Sequence, residues 1–107
     1  QLGLAPQLVE AGADIVVGGH AHVLQGAGML DGAFVAYGLG NFIWWNDRLP
    51  GAQTGAMMVT ATGRRIDGYE LVPARIRGWV PYQLSGAETA SDLAAFEALR
   101  GCTDLEP

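Results

Sequence analysis

Hydrophobic spacing divides the chain into a series of short elements. Leu4, Leu8 and Ala11 recur at helical intervals, Pro6 falls where a first turn tolerates it, and Gly12 is placed to stop the helix; residues 4–11 are therefore predicted as a short helix. Ile15, Val16 and Val17 follow as a β-branched run without alternation, the pattern of a strand buried on both faces. Gly18 and Gly19 end that strand and permit a sharp turn. Residues 23–30 and 33–37 flank Asp31-Gly32, a dipeptide suited to a two-residue type I′ turn, and predict a β-hairpin.

Beyond the hairpin, Gly38-Leu39-Gly40-Asn41 reads as a tight loop, residues 42–45 as an aromatic segment, and residues 46–55 as a polar surface loop fit for a rim. Residues 56–61 and 69–76 predict two further strands joined through Thr62-Gly63, with Pro73 demoting part of the second to an edge or bulge. Ser85-Gly86-Ala87-Glu88 has the spacing of a capping box, and Leu93, Phe96 and Leu99 carry one apolar face of a closing helix as far as Gly101. Thr103 to Pro107 reads as a frayed end or linker. The expected class is α/β: one domain over residues 1–102, built from a helix–strand unit, a hairpin, a β-meander and a closing helix, with a tail over 103–107.

His20 and His22 are the only histidines, two apart in what is expected to be extended chain, so their imidazoles are predicted to share one side. Neutral imidazole is a common ligand of first-row metals, and a strand end supplies the rigidity that metal-assisted hydrolysis requires. In open α/β sheets the ligand crevice lies beyond the carboxyl ends of the strands, where this pair falls. Two surface histidines have the same spacing; the glycines and the apolar strand before them are what place the pair at a pocket position. Asn41 is either a turn asparagine or one whose amide orients a ligand or braces the His loop. Asp14 reads as a turn residue, Tyr37, Trp44 and Trp45 as packing more than substrate rim, Arg48 as a solvated cation, and Cys102 as incidental.

Composition narrows the classes. The chain has 107 residues, 50% of them hydrophobic, which suffices for one small domain with a modest core. Eleven acidic against six basic residues give a net charge of −5, which disfavours nucleic acid or an anionic membrane held by charge. One cysteine supports neither a disulfide scaffold nor a zinc knuckle, and no apolar run reaches membrane-spanning length.

The string Gly12-Ala13-Asp14-Ile15-Val16-Val17-Gly18-Gly19-His20-Ala21-His22-Val23-Leu24-Gln25, followed by Tyr37-Gly38-Leu39-Gly40-Asn41-Phe42, resembles the end of the CapA family of poly-γ-glutamate capsule biosynthesis proteins. That family resembles the calcineurin-like metallophosphoesterases, whose final ligand motif is Gly-His-x-His; Gly19-His20-Ala21-His22 matches it. The chain departs from the family pattern at Ala21, where Pro is common, and at Gly38, where Ser is common.

The resemblance implies a layered, metallophosphatase-like α/β sandwich of which this chain is the C-terminal part. It implies His20 and His22 as metal ligands, with Gly19 and Asn41 in support. Divalent ions of the Mn, Fe or Zn type are implied only for the complete domain, and the chain alone is expected to be inactive. The activity implied is that of a metal-dependent phosphoesterase-like hydrolase. The partners implied are the N-terminal part of the same domain, capsule-synthesis proteins and an anionic polymer, in the bacterial cell envelope. The competing reading is a non-catalytic envelope module that uses the same fold to bind polymer or protein. With only a short helix to cover it, the Ile15–Val17 strand is expected to leave the chain prone to edge-to-edge association.

Overall fold

The computed structural model describes all residues from Gln1 to Pro107. The elements are α1 (Ala5–Glu10), β1 (Ile15–Val17), β2 (Ala27–Leu30), β3 (Ala33–Ala36), β4 (Gln53–Thr62), β5 (Arg65–Arg77), β6 (Val80–Gln83) and α2 (Gly86–Ala98), followed by a 3₁₀ turn over Leu99–Cys102. The strands form two three-stranded sheets, ordered β1-β3-β2 and β4-β5-β6. The class is mixed α/β, as expected.

In the first sheet β3 runs parallel to β1 and antiparallel to β2. The hairpin forms where Asp31-Gly32 predicted it: both residues have positive φ, 48° and 85°, which a type I′ turn requires. Its first strand begins at Ala27 and not at residue 23.

The strand buried on both faces is β3, not β1 as the β-branched run suggested. All four residues of β3 are buried, whereas Ile15 and Val17 of β1 are 48% and 54% exposed. Strand order explains the difference, because β3 lies between its two neighbours and β1 is an edge. Alternation sends Phe34 and Ala36 to one face, where they pack with Ala27, Leu71 of β5 and Phe96 of α2. It sends Val35 and Tyr37 to the other, against Ala5 of α1 and Leu105.

In the second sheet β4 and β5 form a long hairpin that turns at Gly63-Arg64. Pro73 does not push β5 to an edge: β5 is the central strand and runs through it. The carbonyl of Pro73 accepts from Leu84 N–H, one residue past the end of β6. The N–H and C=O of one strand residue point to the same side, so the donor that proline lacks would face a ladder that has already ended.

Two expectations near the C-terminus are corrected. Ser85 is the N-cap of α2 but makes no side-chain cap bond, and Gly86 beside it is left-handed at φ 57°, so the helix starts without a capping box. Residues 103–107 are not frayed. Met29 and Glu106 exchange backbone bonds of 2.8 and 2.9 Å, Leu105 is buried, and Tyr37 donates its hydroxyl to Asp104 Oδ1 at 3.2 Å. Burial, then that contact with Asp104, raises the phenol above its ordinary range. The tail thus extends the first sheet beyond β2.

Asp92 lies on the buried face of α2, one turn before Phe96, and is bound in bidentate fashion by Arg75 of β5, with Nε to Oδ2 at 2.6 Å. The Arg75 guanidinium holds the Asp92 carboxyl below the usual carboxylate range against the opposing effect of burial. This pair and Phe96 seat α2 on the second sheet. No helix is long and apolar enough to cross a membrane.

Candidate metal-ligand site

The site is built where the β1–β3 ladder stops. Gly18 N–H donates to Ala36 O at 2.7 Å, and a Cβ at Gly18 would lie 2.1 Å from the Tyr37 carbonyl oxygen, so only glycine passes here. A Cβ at Gly19 would meet nothing within 4 Å. The chain then turns: His20 is left-handed at φ 69°, where extended backbone was expected. The imidazoles of His20 and His22 still come together, with centroids 5.8 Å apart and planes inclined by 57°. Both residues are exposed. Left-handed backbone at a non-glycine residue costs energy, and such residues concentrate at functional sites.

His22 is held from two directions. Its Nδ1 lies 2.7 Å from Asn41 Oδ1, and the Trp44 ring lies against its face with centroids 4.5 Å apart and planes 30° from parallel. Asn41 is buried and fully engaged, with Nδ2 donating to the carbonyls of His22 and Gly51, each at 3.0 Å. The Thr54 hydroxyl, on β4 and itself buried, donates to the Asn41 carbonyl. Asn41 thus joins the ring and the backbone of His22 through one side chain.

The other candidates fall elsewhere. Asp14 is bound by Arg64 at 3.0 Å in an exposed clamp between the α1–β1 turn and the β4–β5 turn. Tyr37 is core, and Arg48 is exposed in its loop. Trp45 is exposed, while Trp44 is half-buried against His22, a role that packing expectations did not separate from ordinary core. Cys102 is exposed and unpaired. The parts played by Thr54 and Gly51 were not legible in the sequence; the sole hint was their place in the loop 46–55, read as fit for a rim.

A cavity of about 240 Å³ is lined by Gln25, Tyr37 and Cys102, and another of about 230 Å³ by Thr54, Asp92 and Phe96; neither includes His20 or His22. No three His, Cys, Asp or Glu side chains gather in a group able to hold a metal. The pair fits as two nitrogen donors of a larger ligand set, one of them already oriented through its second ring nitrogen.

Residues 1–45, from α1 through the His pair and the first sheet to Trp45, match the family model described as bacterial capsule synthesis protein PGA_cap. The PGA biosynthesis protein CapA of Bacillus subtilis (strain 168) is 35% identical over 85 residues, which cover 72% of this chain and 22% of that protein. The capsule biosynthesis protein CapA of Bacillus anthracis is 48% identical over 44 residues, 41% of this chain and 11% of that protein. The chain thus spans about a fifth or less of the length of these relatives. The matched segment contains the Gly-His-x-His string, its bracing asparagine and the sheet that carries them, and over that segment the chain is similar to the CapA family of bacterial capsule synthesis proteins.

Proposed function

We propose that the chain contributes His20 and His22 to a divalent-metal centre of a capsule-synthesis protein, as part of a phosphoesterase-like site completed by residues outside these 107. The observation that carries the reading is the oriented imidazole of His22, whose Nδ1 is engaged by Asn41 at 2.7 Å while His20 stands 5.8 Å away, ring to ring. Ligating histidines are commonly oriented by such a partner on the second nitrogen. The two rings lie on an exposed turn, open to a further protein surface and to solvent.

A bound divalent ion of the Mn, Fe or Zn type would supply Lewis-acid activation of water and of a phosphoester oxygen. The chain's own residues do the positioning: Gly18 lets β1 pass close to Tyr37, Asn41 and Trp44 hold His22, and the left-handed turn at His20 brings the second ring alongside.

In the full-length protein, His20→Ala and His22→Ala are each expected to weaken binding of manganese or zinc, and any metal-dependent phosphodiesterase activity, by at least about tenfold. Unchanged metal stoichiometry and activity in both variants would refute the ligand role.

A second reading rests on the exposed apolar side chains around Trp44, the residue that lies against His22. Ile43, Trp45 and Trp79 are exposed, and Trp79 is held left-handed at φ 76° in the β5–β6 turn, where its backbone bridges to Trp44. This favours a surface that binds polymer or protein without turnover. Binding of purified poly-γ-glutamate that survives in the His20→Ala variant and is lost in Trp79→Gly would support it; loss with the histidine alone would favour the metal centre.

A further inference from the structure

Three hydrogen bonds of one buried side chain fix more than the direction of the His22 ring. Asn41 directs Nδ2 at two backbone carbonyls, those of His22 and Gly51. Exchanging its amide oxygen and nitrogen would set an acceptor against both carbonyls, so the orientation of the amide is determined by its partners. Its Oδ1 therefore faces His22 Nδ1 at 2.7 Å, and an amide oxygen only accepts. The proton must be on Nδ1.

We infer that Asn41 is a positioning residue that locks neutral His22 in the Nδ1–H tautomer, leaving Nε2 as the lone pair it presents, and that the loop 42–52 is closed onto the same atom set through the Asn41–Gly51 bond. The inference rests on the ligand reading only for what Nε2 is used for; the tautomer itself is a property of the metal-free chain.

The device is anchored on three sides. Thr54, 1% exposed on β4, donates to the Asn41 carbonyl and ties the backbone of residue 41 to the second sheet. The His22 carbonyl accepts from Asn41 Nδ2, so backbone and ring of one residue are gripped by a single amide. Trp44 covers one ring face and limits rotation about χ2. Removing the amide would free the ring and both tautomers at once. The carboxylate of Asn41→Asp would still accept from Nδ1 while losing both donations to the carbonyls.

The test uses the full-length protein, labelled with ¹⁵N-histidine, stripped of metal with a chelator and held well above the ordinary imidazole pKa of about 6.5. Long-range proton–nitrogen correlation distinguishes a pyrrole-like from a pyridine-like nitrogen, and His22 is assigned by its absence from His22→Gln. The expected result is pyrrole-like Nδ1 and pyridine-like Nε2 in the wild type, retained in Asn41→Asp and averaged between tautomers in Asn41→Ala. Zinc affinity of Asn41→Ala should fall about 10- to 100-fold. An Nε2–H tautomer in the wild type overturns the inference, as does an unchanged Nδ1–H pattern in Asn41→Ala. Should Asn41→Ala not fold, the wild-type and Asn41→Asp spectra decide, the loss of Nδ1–H in the latter also counting against it. Because no metal is present, failure here is separate from failure of the ligand role: Nδ1–H in a protein that binds no metal would leave the lock standing and remove its purpose.

Discussion

Asp92 and Arg75 pair across the α2–β5 interface with the carboxylate 5% exposed, and cutting one partner leaves the other charge stranded. Asp92→Ala is expected to destabilise the fold by about 3 kcal/mol, measured by denaturant unfolding. The pH dependence has a definite sign. Because the folded pKa of Asp92 is depressed from its ordinary 3.8, its contribution is fully present above that value and is lost as pH falls through the lower folded value. Stability should therefore hold from neutral pH to about 5 and decline below about 4, and Asp92→Asn should remove that component of the decline. At this scale the sequence exposed the histidines, which are only two and lie two positions apart, and it exposed Asn41 as either a turn residue or a brace. It did not expose Trp44 against His22 or the pairing of Arg75 with Asp92. Trp44 lies 22 residues from His22 in numbering, and Arg75 lies 17 from Asp92; such pairings depend on how sheets stack, which local spacing does not encode.

Elements with local causes were legible. The Asp31-Gly32 turn, the short helix ended before Gly12 and the closing helix all follow from residues adjacent in sequence. The assignment of two-face burial to β1 failed because β1 and β3 are both short apolar runs, and only strand order separates an edge from a centre. The tail docks through backbone bonds to Met29, which carry no residue pattern at all. Close approach offers a direct check on this arrangement. A Cβ at Gly18 would meet the Tyr37 carbonyl at 2.1 Å, and one at Gly28 the Glu106 carbonyl at 2.3 Å, both unyielding backbone. Gly18→Ala and Gly28→Ala should each cost about 1–3 kcal/mol by thermal or denaturant unfolding. Gly68→Ala, where the added carbon meets nothing within 4 Å, should stay within about 0.5 kcal/mol.

Across the whole molecule the burial is uneven. β3 is closed on both faces, while Leu4 at the N-cap of α1, Leu8 within it, and Ile15 and Val17 of β1 leave an apolar flank beside an unpaired strand edge. That flank is the feature the β-branched run announced, although as exposure and not as core. Such an edge drives association, and a lysine on it opposes pairing. Val17→Lys should raise the soluble yield of residues 1–107 and lower light scattering at matched concentration; no change would mean that β1 is not where chains meet. The His pair stands at the end of this same open strand, where we propose that it serves a metal. The most direct test is calorimetric titration of manganese and zinc into chelator-treated full-length protein, wild type against His20→Ala/His22→Ala. A saturable high-affinity site is expected in the wild type and is weakened by at least about tenfold in the double variant; identical isotherms for the two proteins would rule out the metal role.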